Sequence, residues 1–200
     1  MKTVWNHTQI LVAAVAVAAV NSLPAQTNVS FADPSLEAAV RAALNQPAGP
    51  LTSVDLLSLT NLSAEAKGIT DLSGLEWAGN LTNLDVEANG LTDLGPLSGL
   101  VRIESLSAGS NGLTGLNALS GLTNLNYLDA AFNRLPDIGV LLQLPALSNV
   151  LVQGNQLSLA AGSAAMSIIE TLTNRGVVVE YEPQAPDVTP PRVSLVHGPS

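Results

Sequence analysis

The chain has 200 residues and no cysteine; 46% of it is hydrophobic, only 3% aromatic and 12% charged, with a formal net charge of −9. This length suits one domain, whose core must be built from aliphatic side chains. The missing thiols exclude disulfides, thiol chemistry and cysteine-type zinc sites, and the acidity argues against nucleic acid or anionic membrane as partner, because both are held by basic side chains.

Residues 1–25 read as a secretory signal. Lys2 precedes the apolar run ILVAAVAVAAV at 10–20, and NSLPAQ offers a cut after Ala25. The run is shorter than the about 20 residues of a spanning helix, so an uncleaved anchor is the competing and weaker reading. No later segment is apolar enough to span a bilayer, so none is expected in the mature chain.

Residues 30–58 predict a helical cap. In FADPSLEAAVRAALNQ, Asp33 stands at a capping position with Pro34 just inside it. Leu36, Ala39, Val40, Ala43 and Leu44 then make one apolar stripe. QPAGP ends that helix, and LTSVDLLSL predicts a second, short one capped by Thr52.

Residues 59–158 carry a 22-residue repeat in four full copies and one partial copy, without insertions. One copy places apolar side chains at 81, 84, 86, 91, 94, 97 and 100. Neither a 3.6 nor a 2.0 period runs through it, so the chain must change conformation within each copy. NLDVE predicts a short strand with Leu84 and Val86 inward and Asn83, Asp85 and Glu87 outward. Asn89, Asn111, Asn133 and Asn155 recur where the chain leaves the strand, and each amide is expected to satisfy backbone groups of neighbouring coils. The first copy has Lys67 there, predicting a more exposed turn. Asp71, Asp93 and Asp137 are expected to cap short helical turns, with Gly115 the exception.

Residues 159–182 predict a second cap: a helix with Ala165, Met166, Ile169 and Leu172 on its apolar face, a stop at Gly176, and a strand over 177–181. Residues 183–200 are proline-rich and predict an extended linker. Within them TPPRVSL is similar to the opening strand of immunoglobulin-like modules, so this segment is also read as the start of a β-module in a longer protein.

The copies LTNLDVEANGLTDLGPLSGLVR and LNYLDAAFNRLPDIGVLLQLPA resemble the leucine-rich repeats of bacterial internalin-type proteins. The resemblance covers about residues 30–182. It implies an α/β solenoid: a right-handed coil with a parallel concave β-sheet, short 3-10 turns on the convex side, a helical N-terminal cap and a helix–strand C-terminal cap. It also implies a secreted or cell-surface bacterial protein. The motif is specific for fold and poorly specific for function.

Chemistry has few candidates. The only histidines, His7 and His197, lie in the signal and the tail, so a Ser-His-acid arrangement would depend on a histidine outside the folded region. Glu65, Asp85, Glu87 and Asp129 can be read as paired carboxylates or a calcium site. A solvated acidic face is the stronger reading, because an open sheet seldom supplies a cleft and shifted pKa values. No phosphate loop, dinucleotide motif or metal spacing is present. Neither catalytic residues nor a metal or cofactor is expected, and four Asn-x-Ser/Thr sequons, at Asn6, Asn28, Asn61 and Asn80, are read as incidental.

Binding is the better expectation. The outward concave positions Asn83, Asp85, Glu87, Ser105, Ser107, Tyr127, Asp129, Phe132, Asn149, Leu151 and Gln153 are the candidate partner-binding residues, for a protein or peptide and with the chain itself a monomer. Tyr127, Phe132 and Leu151 are expected to be neighbours on the solvent side. Two aromatics on one face of an aromatic-poor chain suggest an energetic centre. Phe132 is alternatively a packing residue at the coil edge. The array is otherwise read as a spacer or stalk of a larger surface protein.

Overall fold

A computed structural model describes residues 26–184. The expected signal over 1–25 and the tail from 185 onward lie outside the described residues.

The N-terminal segment forms two short strands and two helices ahead of the first coil. Strand β1 (Asn28–Val29) pairs antiparallel with β2 (Leu51–Thr52). Between them runs helix α1 (Pro34–Ala43), whose Leu36 and Val40 are buried. One Asp33 oxygen accepts from the N–H groups of Ser35 at 2.8 Å and Leu36 at 3.2 Å, and the other from the N–H of Thr70 at 2.8 Å. This one carboxylate therefore caps α1 and ties it to the first coil. Helix α2 (Ser53–Leu56) starts with a capping box: Thr52 Oγ1 accepts from the Asp55 N–H, and Asp55 accepts from the Thr52 N–H. Gly74 is needed where it stands. Its φ is +102°, and a Cβ there would lie 2.7 Å from the Phe31 ring and 2.9 Å from the Ser30 carbonyl.

The repeats stack as one parallel sheet of six strands: β3 (Asn61–Ser63), β4 (Asn83–Asp85), β5 (Ser105–Ser107), β6 (Tyr127–Asp129), β7 (Asn149–Leu151) and β8 (Val178–Glu180). Leu62, Leu84, Leu106, Leu128, Val150 and Val179 pair across it in strict register. The first five are almost fully buried, with Val179 partly so at the end. A repeat of constant length with one apolar stripe can hide that stripe only against the next copy, which is what forces the stack. Strand β8, from the C-terminal cap, extends the repeat sheet by a sixth strand. Helix α3 (Ala164–Asn174) covers the last coil with buried Ala165, Ile168, Ile169 and Leu172, while Met166 stays half-buried.

The strands are three residues long, not five. Coil-to-coil pairing does continue: the N–H groups of Val86 and Ala88 donate to the carbonyls of Ser107 and Gly109. Strand geometry nevertheless ends because the backbone turns at Ala88, where φ is +54°. Ala66, Ser110 and Phe132 hold the same left-handed conformation, at φ between +52° and +54°, and Gly154 does so at +67°. An L-residue there costs roughly 1–2 kcal/mol, so tertiary contacts must hold each one.

On the opposite side four 3-10 turns recur at Leu75–Trp77, Gly95–Leu97, Asn117–Gly121 and Gly139–Gln143. The expectation that aspartates cap them needs correction. Their cap positions are Gly74, Leu94, Leu116 and Ile138, none with a side-chain cap bond. Asp71 and Asp137 instead accept from the N–H two residues on, that of Ser73 at 2.7 Å and Gly139 at 3.1 Å. Three of the four cap positions are given over to apolar side chains, which the core claims ahead of the turn.

The four asparagines form a hydrogen-bonded column between coils. Oδ1 of Asn89, Asn111, Asn133 and Asn155 accepts from the N–H of Ile69, Leu91, Leu113 and Leu135, at 2.9–3.0 Å. Nδ2 donates to the carbonyls of Ala64, Val86, Ala108 and Ala130, also at 2.9–3.0 Å, and to two carbonyls of its own turn. The turn at Lys67 is exposed, with its N–H donated to Asn89 Oδ1 at 3.0 Å. Beyond Asn155 the column continues through Gln184, a residue that the linker reading set apart from the cap. Its Oε1 accepts from the N–H groups of Asn155 and Leu157, and its Nε2 donates to the carbonyls of Val152 and Tyr181. Val152 and Leu157 stand one repeat on from Ala130 and Leu135, so Gln184 acts as the closing rung.

Candidate functional site: the concave sheet face

Register alone arranges the outward side chains into rows. Asn61, Asn83, Ser105, Tyr127 and Asn149 pair successively, as do Ser63, Asp85, Ser107, Asp129 and Leu151. Strand β8 adds Val178 to the first row and Glu180 to the second. Asn83 Nδ2 donates to Asn61 Oδ1 at 2.6 Å, so the first row begins as an amide pair across coils. The next outward positions, Glu65, Glu87, Gly109, Ala131 and Gln153, keep the same spacing but lie past the strand ends.

Acidic groups gather in the middle of the face. Asp129 Oδ1 accepts from the Ala131 N–H at 2.9 Å, and Asp85 Oδ1 from the Glu87 N–H at 3.1 Å, so both aspartates also turn the chain out of its strand. A Cβ on Gly109 would stand 2.9 Å from Asp129 Oδ1, which places that carboxylate over the Gly109 backbone. Burial, and then the charges of Asp129, Glu65 and Asp85, push the Glu87 carboxyl above its ordinary 4.5. Burial, followed by Asp129, Glu87 and Glu180, likewise raises the Tyr127 phenol. The face thus holds negative charge in excess of what its own residues neutralise.

The two aromatics sit differently from each other. Phe132 is 58% exposed, although its ring lies on the backbone of the next coil, where a Cβ on Gly154 would be 2.5 Å from Cδ1. It therefore packs at the coil edge and presents its outer face to solvent. Tyr127, expected to be exposed, is half-buried. Asn83 is exposed, while Asp85, Glu87, Ser105, Ser107, Asp129, Asn149, Leu151 and Gln153 are half-buried, consistent with a shallow concave floor. The carboxamide oxygens of Asn149 and Gln153 are buried with no hydrogen-bond partner among the described residues.

Little of this geometry is suited to a small ligand. The depression over β3 to β5, lined by Asn61, Asn83, Asp85, Ser105 and Ser107, holds about 180 Å³ and is open. Small-molecule sites usually hold about 300–1,000 Å³. His7 and His197 lie outside the described residues. Among the described residues no three acidic or histidine side chains come together as a metal site, and no helix is long and apolar enough to cross a membrane.

Two solved structures compare closely with this fold. An internalin, InlF, from Listeria monocytogenes superposes with a TM-score of 0.64 at 29% identity, over 75% of this chain and 43% of its own. The functional domain of InlJ from the same organism, which includes a cysteine ladder, superposes with a TM-score of 0.61 at 31% identity, over 66% of this chain and 29% of its own. This chain therefore spans less than half the length of either. No family model matches it, and no curated protein does.

Proposed function

We propose that this chain, an internalin-like leucine-rich-repeat protein, is a secreted or cell-surface, non-catalytic module that takes a protein or peptide partner on its concave face. The observation that carries the reading is the sheet face itself, uncovered among the described residues, where Asp85, Glu87 and Asp129 crowd beside Tyr127 and Phe132 presents an exposed ring. Exposed aromatic rings flanked by polar groups are the usual energetic centres of interfaces. Six strands about 4.8 Å apart, each three residues or about 10 Å long, project to roughly 290 Å². A stable partner covers about 800 Å² on each side. The partner is therefore engaged by the flanking loops as well, or is a single extended peptide. The secretory pattern read at residues 1–25, Lys2 followed by the apolar run at 10–20, supports export.

The test is capture from the native extracellular surroundings on immobilised protein. Asp85→Ala combined with Phe132→Ala should lose the captured partner while keeping its circular dichroism spectrum. A partner held equally well by that variant removes the concave face from the proposal. A second reading, a spacer in a larger surface protein, is favoured by one observation: the chain spans only 43% and 29% of the two internalins. Under it, neither variant nor wild type captures anything.

A further inference from the structure

Asn–Gly occurs twice in the 200 residues, at Asn89–Gly90 and Asn111–Gly112, and both asparagines are rungs of the column. In an unfolded chain a glycine nitrogen meets no side-chain hindrance as it approaches the preceding carboxamide. In the fold both partners of that approach are held. The Gly90 and Gly112 N–H groups donate to the carbonyls of Ile69 and Leu91, each at 2.8 Å. The Asn89 amide is fixed by two donors and three carbonyls, and the Asn111 amide by one donor and three carbonyls.

The fold does not require glycine after the asparagine. Neither Gly90 nor Gly112 has a positive φ. One and two repeats beyond Gly112 stand Arg134 and Gln156, whose N–H groups make the same bond, to Leu113 at 2.9 Å and Leu135 at 3.0 Å. Asn133 and Asn155 are thus rungs without the reactive neighbour.

We propose that Asn89 and Asn111 are conditional modification sites: sealed while their coils are closed, and converted through a succinimide to aspartate or isoaspartate once those coils open. The Gly90 nitrogen gives up its proton and attacks Asn89 Cγ. The new N–Cγ bond forms as the Cγ–Nδ2 bond breaks, and Nδ2 leaves as ammonia. Water then opens the imide at Cγ to give aspartate with a restored normal backbone, or at the main-chain carbonyl to give isoaspartate with one more methylene in the backbone. Asn111 reacts likewise through Gly112. Either product removes the donor that faced Ala64, Val86 and Glu87, or Val86, Ala108 and Gly109, and sets a carboxylate against those carbonyls. The converted rung is thereby barred from re-forming, and a coil that has opened for long stays marked.

Peptide mapping by mass spectrometry tests this on the purified full chain, incubated at mildly alkaline pH either folded or in urea. Conversion at Asn89 and Asn111 should be at least about a hundredfold slower in the folded protein, the suppression expected of a hydrogen-bonded turn that reacts only when open. Converted chain returned to buffer should fail to regain the original melting transition. Gly112→Gln, whose Cβ meets nothing nearer than 3.3 Å, should melt like the parent yet lose the reaction at Asn111 in urea. Equal rates in folded and unfolded protein overturn the proposal, as does the absence of conversion in urea. Recovery of the full melting transition by converted chain overturns the barred rung.

Discussion

Replacing Asn133 with alanine tests the central rung of the column. Asn133 is only 6% exposed. Its Oδ1 takes the Leu113 N–H at 2.9 Å, and its Nδ2 serves the carbonyls of Ala108 at 3.0 Å and of Ala130 and Ala131 at 3.1 Å. Alanine leaves the Leu113 N–H buried and unpaired, at a cost of about 1–3 kcal/mol. The three carbonyls lose a donor but keep a second lone pair for other groups, which adds less. About 3 kcal/mol is the expected sum, or a drop of roughly 6–12 °C in melting temperature at this chain length.

Asn133→Asp separates the two halves of the amide. It keeps the acceptor for Leu113 and turns the donor into a carboxylate facing three carbonyls, so at neutral pH it should cost more than alanine. Burial holds the introduced carboxyl's folded pKa above its unfolded value of about 3.9. Folding then takes up a proton, and stability falls as pH rises between the unfolded and the folded value. The gap to wild type should therefore narrow as the pH is lowered toward about 4. Thermal melts by circular dichroism across that range decide the matter. An Asn133→Ala melt within about 2 °C of wild type, or an Asn133→Asp gap that ignores pH, would refute the reasoning.

Two further outcomes are expected. Burial pushes the Asp33 carboxyl up, but the N–H groups of Thr70, Leu36 and Ser35 outweigh it and hold the group below its ordinary 3.8. The stability this supplies is present above that value and lost as pH falls through the depressed one. Asp33→Ala should accordingly cost about 2 kcal/mol at neutral pH, with the two melting curves converging in strong acid. At Ala88, where φ is +54°, Ala88→Gly should be neutral or stabilising by up to about 1 kcal/mol, since relief of the left-handed strain exceeds or equals the entropy lost. Ala88→Val should melt below both, and a valine variant as stable as the glycine one would contradict the strained turn.

Much of this architecture was legible because one number, the repeat length, sets strand register, core columns and asparagine rungs together. The rows of the concave face followed from the same register. What was hidden has identifiable physical causes. Ala66, Ala88, Ser110 and Phe132 adopt a left-handed turn that none of these residue types announces, and it is Gly154 alone that hints at it. Gln184 lies 29 positions past Asn155 rather than 22, across α3 and β8, in a stretch whose prolines suggested a linker. Asp71, Asp93 and Asp137 share one place in the repeat, yet no side chain caps any of the 3-10 turns that follow them. On the candidate face, the half-burial of Tyr127 depends on how deep the sheet floor sits, which a spacing pattern does not encode.

Because Asp33 fastens one end to the first coil and Gln184 closes the other in place of a further asparagine, the number of windings between them is left open by both. Splicing in a duplicate 22-residue unit would present identical hydrogen-bonding edges to its neighbours above and below, lengthening the molecule by about 4.8 Å without either terminus sensing the change. Reach across this protein is thus a matter of counting, adjustable in whole steps by in-frame duplication or deletion.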